Sequence, residues 1–226
     1  AATRTTTTPE DAVGELPWTP VMRALGRAAA RPGFAQWAYL VAPPALGEET
    51  LTTALRTLLD THDMLRARVA ADTTTLVVAE RGSVDAAALV TRVALRTDED
   101  LDGAVERAAR EAADGLDPAA GLMVRLVWVD AGPEQAGRLV LVVHHLAVDG
   151  VSWRILLPDL RVACEAAVAG RAAELDPVRT SFRRWAQLLQ SEARDERRIA
   201  ELDRWRELLG DGDALIGARA LDPARD

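Results

Sequence analysis

Residues 139–153 read LVLVVHHLAVDGVSW, and this stretch decides how the rest of the chain is interpreted. The apolar run 139–143 is typical of a strand that is buried on both faces and therefore central in its sheet. The strand ends in His144 and His145, and Ser152 is suited to begin a helix. Because histidine titrates near neutral pH, a histidine at the end of a rigid strand can move protons at the mouth of a cleft.

Strand geometry predicts that His144 and His145 lie on opposite faces, so one can point into the cleft while the other packs. Asp149 falls in the following turn, where it can accept hydrogen bonds from turn amides or pair with an arginine. Gly150 allows a backbone conformation that other residues resist. Ser152 would cap the next helix, whose positive end then faces the same cleft.

Composition bounds the class of protein. The chain has 226 residues, 49% of them hydrophobic, and a net charge of −8, which argues against a nucleic-acid backbone or an anionic membrane as the main partner. The single cysteine, Cys164, is expected to be a small core side chain and suits a reducing cytoplasm. No stretch approaches about 20 uninterrupted apolar residues. The threonine-rich start, Ala1 to Pro9, resembles a linker, so we expect the chain to be cut from a larger protein.

Periodicity predicts alternating helices and strands. The expected helices are Val21–Ala30, Glu48–Thr61, Asp98–Ala113 and Ser152–Ala169, the last kinked or shifted by Pro158, followed by two amphipathic helices over Ser181–Leu209. The expected strands are Gln36–Ala42, Met64–Val69, Thr74–Ala79, Leu122–Val129 and Arg138–Val143, the last two forming a hairpin. Leu215–Asp226 is expected to contain no closing element.

The residues alone leave two rival interpretations of the histidines. A zinc or iron site would need His144 and His145 to converge, which strand alternation opposes, and the third histidine, His62, is remote in sequence. Alternatively, both histidines are structural and hydrogen-bonded at a sheet edge. This second alternative stays open at this point.

Motifs at four places resemble one family. Residues 144–150, HHLAVDG, match the HHxxxDG signature of the condensation-domain superfamily of nonribosomal peptide synthetases, which is related to chloramphenicol acetyltransferase. LPWTPVM at 16–22, THDMLRARV at 61–69 and TSFRRWA at 180–186 resemble the opening motif, the second motif and the segment after the first lobe. DGVSWRIL at 149–156 resembles the epimerization form of the signature, although the opening motif lacks the glutamine and aromatics of that form and Pro158 replaces an expected acidic residue.

The resemblance implies a fold. It is a mixed α/β fold (an α+β two-layer sandwich), a chloramphenicol-acetyltransferase-like lobe that forms the N-terminal half of a two-lobed domain, with the active site in a tunnel between the lobes. It further implies a linker tail at 1–15, the N-terminal lobe at 16–175, and a helical crossover at 176–226 that leads to a second lobe outside this chain.

The resemblance also implies roles for single residues. His145 becomes the catalytic acid/base and His144 a packed structural residue. Asp149 and Gly150 become supporting residues of the loop, with Arg66 as the candidate partner of Asp149. Ser152 and Trp153 are candidates for lining the substrate channel.

The implied function is epimerization, L to D, of an aminoacyl or peptidyl thioester on the phosphopantetheine of a carrier protein, with a glutamate of the second lobe as the other acid/base. One alternative is condensation of two carrier-bound substrates, and a second is an inactive lobe that serves as a carrier-protein docking module. The domain itself is expected to bind no cofactor and no metal. Its expected partners are the carrier protein, its own second lobe and neighbouring synthetase domains, and the 226-residue chain alone is expected to be inactive.

Overall fold

The computed structural model describes residues 12–44, 46–96 and 99–210. The chain divides into two compact units, Ala1–Gln187 and Leu188–Asp226. The strands of the described residues are β1 (Gly14–Pro17), β2 (Ala35–Ala42), β3 (Ala67–Val69), β4 (Thr75–Val78), β5 (Val90–Ala94), β6 (Val124–Asp130) and β7 (Gly137–His144). The α-helices are α1 (Pro20–Leu25), α2 (Glu48–Thr61), α3 (Leu101–Asp114), α4 (Trp153–Val168), α5 (Phe182–Glu192), α6 (Glu196–Ala200) and α7 (Leu202–Leu209).

The larger sheet has the strand order β2-β7-β6-β5. β7 is central, because it pairs antiparallel with β2 on one side and with β6 on the other, while β5 runs parallel to β6. Its apolar run from Leu139 to Val143 is fully buried, as the sequence predicts. The β6–β7 hairpin is also confirmed, with Val124 opposite Val143.

Helices cover both faces of this sheet. Leu139, Leu141 and Val143 pack in one cluster with residues of α2 and α4, whereas Val140 and Val142 pack with α3. The mixed α/β class is confirmed, and α3 adds a further layer to the predicted sandwich. Because side chains alternate along β7, the strand delivers its two terminal histidines to different faces.

A smaller antiparallel sheet, in the order β1-β4-β3, completes the first unit. Its buried side chains form a separate cluster with the segments around α1 and Met64. The predicted helix Val21–Ala30 is interrupted here. α1 ends at Leu25, because the following Gly26 has a φ of 56° that stops the α-helix, and a 3-10 turn covers Gly26–Ala30.

The predicted strand Met64–Val69 is partly wrong. A 3-10 turn occupies Asp63–Arg66, and only Ala67–Val69 is a strand. The Asp63 carboxylate accepts a hydrogen bond from the Met64 amide at 2.9 Å, which stabilises the turn in place of an extended chain.

The charged C-terminal region forms three helical segments, where the sequence predicts two. α6 begins separately because the side chain of its N-cap residue, Asp195, accepts a hydrogen bond from the Arg197 amide. The prediction for Leu215–Asp226 lies outside the described residues. In the part of the chain that the structure describes, no helix is both long and apolar enough to cross a membrane.

Candidate functional site

His144 is fully buried at the end of β7. Its Nε2 lies 3.0 Å from the carbonyl oxygen of Arg31, and its Nδ1 lies 3.3 Å from the amide nitrogen of Leu146. A carbonyl only accepts and an amide N–H only donates, so these partners assign a neutral ring that is protonated on Nε2. Burial lowers the pKa of His144, and the nearby His145 lowers it further, while the bond to the Arg31 carbonyl acts in the opposite direction. Both ring nitrogens are therefore occupied within the protein.

His145 lies on the other face and is only half-buried. Its Nδ1 is 2.8 Å from the carbonyl oxygen of Val148, which requires a proton on Nδ1, so the neutral ring carries its lone pair on Nε2. The ring of Phe34 stacks on the imidazole with centroids 4.9 Å apart and an interplanar angle of 21°. The backbone amide of His145 also donates to the Phe34 carbonyl oxygen at 2.8 Å. The ring is thus held at one nitrogen and on one face.

Gln36 approaches the remaining nitrogen of His145. Its Nε2 is 3.0 Å from the Nε2 of His145, and its Oε1 accepts a hydrogen bond from the indole Nε1 of Trp153 at 2.9 Å. Ala35 pairs with His144 across β2 and β7, so Gln36 falls on the face that His145 shares. Sequence reasoning assigned no role to Gln36. The available signal was a polar side chain in an otherwise apolar strand.

Asp149 organises the turn after the histidines. Its Oδ1 accepts hydrogen bonds from the amides of Val151 and Ser152 at 3.0 and 2.9 Å and from the Ser152 hydroxyl at 2.8 Å, while its own amide donates to the Ser152 Oγ at 3.1 Å. This reciprocal arrangement resembles a capping box at the start of α4. The bond from the Ser152 hydroxyl is the main reason that the pKa of Asp149 is lowered. Ser152 is the N-cap residue of α4, as predicted, but its side chain makes no capping hydrogen bond to the helix, because its hydroxyl serves Asp149.

Gly150 is exposed, and it is not one of the described glycines that have a positive φ. A Cβ built on Gly150 would meet no heavy atom within 4 Å. Gly150 therefore does not use the conformational freedom that a glycine allows at this position. The structure instead leaves open space in front of its Cα.

Arg66 does not pair with Asp149. Its guanidinium is buried, with Nε donating to the carbonyl oxygen of Ala79 at 3.0 Å and Nη1 donating to that of Leu59. The 3-10 turn over Asp63–Arg66 directs this side chain inward, whereas Asp149 is exposed and bonded within its own turn. The predicted pair is therefore wrong, and Arg66 instead links the backbone of α2 to the residue that follows β4.

The signature loop also forms part of a cavity wall. Ser152 lines a cavity of about 530 Å³, together with His62 and Asp63 and mostly apolar side chains. On this wall, the Nε2 of His62 is 2.8 Å from the Oδ2 of Asp159. Trp153 directs its indole N–H to Gln36 instead. Across the described residues, no group of three or more His, Cys, Asp or Glu side chains is placed to hold a metal ion.

Comparison with known proteins identifies the family. A family model described as "Condensation domain" matches residues 28–215. The chain is 36% identical over 161 residues to one of the subunits of linear gramicidin synthase from Brevibacillus parabrevis, a match that covers 71% of this chain and 3% of that protein. It is also 28% identical over 203 residues to bacitracin synthase 2 of Bacillus licheniformis, which covers 89% of this chain and 8% of that protein. The chain thus spans only a small part of these curated relatives.

Solved structures show the same fold. The epimerization domain from the third module of tyrocidine synthetase B matches with a TM-score of 0.75 and 22% identity, over 90% of this chain and 46% of that one. The X-domain in its complex with OxyB from teicoplanin biosynthesis matches with a TM-score of 0.73 and 26% identity, over 97% of this chain and 48% of that one. With the family model matching well over half of its length, the chain belongs to the condensation-domain superfamily of nonribosomal peptide synthetases.

Proposed function

We propose that this chain is part of an epimerization domain, which inverts the α-carbon of an aminoacyl or peptidyl residue held as a thioester on the phosphopantetheine of a carrier protein. The observation that carries the proposal is the state of His145. Its Nδ1 is committed to the Val148 carbonyl, its ring is fixed by Phe34, and its Nε2 faces the amide nitrogen of Gln36, a donor, so that Nε2 accepts with its lone pair. A half-buried imidazole in this form is suited to act as a general base.

The chemistry follows from the thioester, which acidifies the hydrogen on the adjacent α-carbon. The Nε2 of His145 takes that hydrogen as a proton, and the electron pair of the C–H bond moves into the thioester to give an enolate. Return of a proton to the opposite face then gives the inverted centre. By resemblance to the family, we assign this second proton to a glutamate of the other lobe of the domain.

Two features favour epimerization over the alternatives. Residues 149–156 resemble the epimerization form of the signature. Trp153 of this motif also donates a hydrogen bond to Gln36, which itself contacts the proposed base. The motif is therefore connected by hydrogen bonds to the reactive nitrogen.

Condensation is the second candidate, since the matching family model bears that name. In this reaction the Nε2 of His145 would accept a proton from the α-amino group of an acceptor as it attacks a donor thioester. The developing oxyanion would need donors, and the amide of Gly150 and the start of α4 are the candidates for them.

The test uses a synthetase fragment that contains this chain within its whole domain, joined to its carrier protein. The carrier is loaded with an L-aminoacyl or peptidyl phosphopantetheine and incubated in deuterated water. We expect deuterium at the α-carbon and mixed stereochemistry in the released product, both lost in His145→Ala and kept in the control variant Trp37→Phe, at an exposed position on β2.

Other outcomes would overturn the assignment. Peptide formation with an acceptor-loaded carrier, in the absence of α-carbon exchange, would assign the domain to condensation. Carrier binding without either reaction would leave the docking module as the surviving function.

A further inference from the structure

We propose that Gln36 is a positioning residue that, held by Trp153, keeps the Nε2 of His145 in its unprotonated form. This inference rests on the proposed function, in which that nitrogen receives the substrate proton. It adds to that function two residues of different elements, one on β2 and one at the start of α4.

The argument begins at Trp153, because an indole N–H can only donate a hydrogen bond. Its partner at 2.9 Å must be the oxygen of the Gln36 carboxamide, which fixes the orientation of that group. The carboxamide nitrogen, also a donor only, then faces His145 at 3.0 Å. The imidazole nitrogen that it meets must accept and so carries no proton.

An independent contact sets the other nitrogen of the ring. The Val148 carbonyl oxygen lies 2.8 Å from the Nδ1 of His145 and places a proton on that nitrogen. One ring nitrogen is therefore a donor and the other an acceptor, which is the neutral tautomer. The protonation of Nδ1 and that of Nε2 are set by different segments of the chain, and the two contacts are consistent with the same tautomer.

The reversed orientation of the carboxamide shows what Trp153 adds. A half-turn of the Gln36 amide would direct its oxygen to His145, where it could accept from a protonated Nε2. The same half-turn would bring the amide N–H₂ group against the indole N–H, leaving two donors facing each other. Trp153 therefore opposes the orientation that would favour the protonated ring.

The lone pair of Nε2 is occupied by Gln36 before substrate binds. A substrate hydrogen must take the place of the amide, which remains held at its oxygen by Trp153. Gln36, Trp153 and His145 are all only partly buried, so the exchange needs no rearrangement of the core. Gln36 acts through His145 and takes no proton itself.

The direct readout is the protonation of His145 itself. The chain has three histidines, so two-bond ¹H–¹⁵N spectra of the ¹⁵N-histidine-labelled chain contain the signals of three imidazole rings. The variants His145→Ala and His62→Gln assign these signals to their residues. At about pH 8, above the ordinary range of histidine titration, we expect a pyrrole-like Nδ1 and a pyridine-like Nε2 for His145.

Two variants break the hydrogen-bonded series Trp153–Gln36–His145, here called the relay, at different points. A folding defect in one variant therefore does not decide the outcome. Trp153→Phe removes the donor but keeps an aromatic ring, and Gln36→Leu removes the carboxamide. In both we expect the His145 nitrogen signals of the labelled chain to move toward averaged tautomers. In the synthetase fragment that contains the whole domain and its carrier protein, we expect kcat for α-carbon exchange to fall by about tenfold or less, the worth of one hydrogen bond, with KM unchanged. Trp37→Phe, at an exposed neighbour on β2, is the matched control and should change neither.

The two failures are distinguishable. Unchanged His145 signals and unchanged kcat in both relay variants would overturn the role of Gln36 and leave the proposed function intact. If the His145 signals change as expected in both relay variants but the unmutated fragment shows no α-carbon exchange, the proposed function is refuted. The control of His145 by Gln36 would then still stand.

Discussion

Replacing Arg66 by methionine tests which partner this buried arginine has. The guanidinium donates to the carbonyl oxygens of Ala79 and Leu59, and both acceptors lose their partner in Arg66→Met. Burial already raises the pKa of Asp63, and the charge of Arg66 is one of the influences that lower it. Leaving a buried carbonyl oxygen without its donor typically costs about 1–3 kcal/mol, so the loss of both bonds is worth about 2–5 kcal/mol. We expect a loss in this range in the free energy of unfolding.

The assay is urea unfolding, with the midpoint and the slope m measured for each variant. Arg68→Met is the matched control, because Arg68 is exposed two residues further along the chain, and it should cost no more than about 0.5 kcal/mol. A double-mutant cycle of Arg66→Met with Asp149→Asn should show additive losses, since Asp149 bonds within its own turn.

Two results would refute this reasoning. A coupling between Arg66 and Asp149 above about 1 kcal/mol would show that they interact after all. A loss for Arg66→Met no larger than that for Arg68→Met would show that the buried guanidinium is not needed by its carbonyl partners.

Three further predictions concern stability and reactivity. Burial lowers the pKa of His144, so between about pH 6.5 and the lower pKa of the folded state the unfolded chain binds a proton that the folded chain does not, and stability decreases as the pH is lowered, by at most about 1.4 kcal/mol per pH unit; urea titrations at stepped pH should show this slope reduced in His144→Gln, and an equal slope in both proteins would contradict it. Gly150→Ala should change the free energy of unfolding by less than about 1 kcal/mol, because a Cβ there meets nothing within 4 Å; a larger loss in the same titration would show a packing or backbone constraint. Cys164 is partly buried, and this burial raises its pKa to about 11, so iodoacetamide at neutral pH should modify it slowly in the native protein and rapidly in urea, as measured by mass spectrometry; similar rates would show that its partial burial does not protect it.

Local patterns were sufficient for the elements that bury one regular face. The leucines of α2 recur at helical spacing, and the predicted limits, Glu48–Thr61, are those of the structure. The apolar run of β7 predicts a central strand, and the period of two places His144 and His145 on different faces.

Local patterns failed where a tertiary contact or a turn selects the conformation. Leu65, Ala67 and Val69 alternate as in a strand, yet the Asp63 carboxylate stabilises a turn over the first part of the segment. The position of Arg66 changes with it, because an extended strand would place this side chain on the face opposite to Leu65 and Ala67, whereas the turn places it in the interior.

The relay at His145 was out of reach of local patterns for a different reason. Gln36 is 109 residues from His145 and 117 residues from Trp153 in the chain. Its role depends on the β2–β7 register and on the position of α4, both of which are properties of the folded sheet. A polar residue in an apolar strand marks such a position but does not name its partner.

The most direct test of the proposed function is the rate of deuterium incorporation at the α-carbon of the carrier-bound thioester. A positioned general base contributes about 10²–10⁴-fold to a proton transfer, so we expect His145→Ala to slow incorporation by at least about 100-fold while carrier binding is retained. Incorporation at the parental rate in His145→Ala would contradict the account, because the proton would then be removed by a group other than His145.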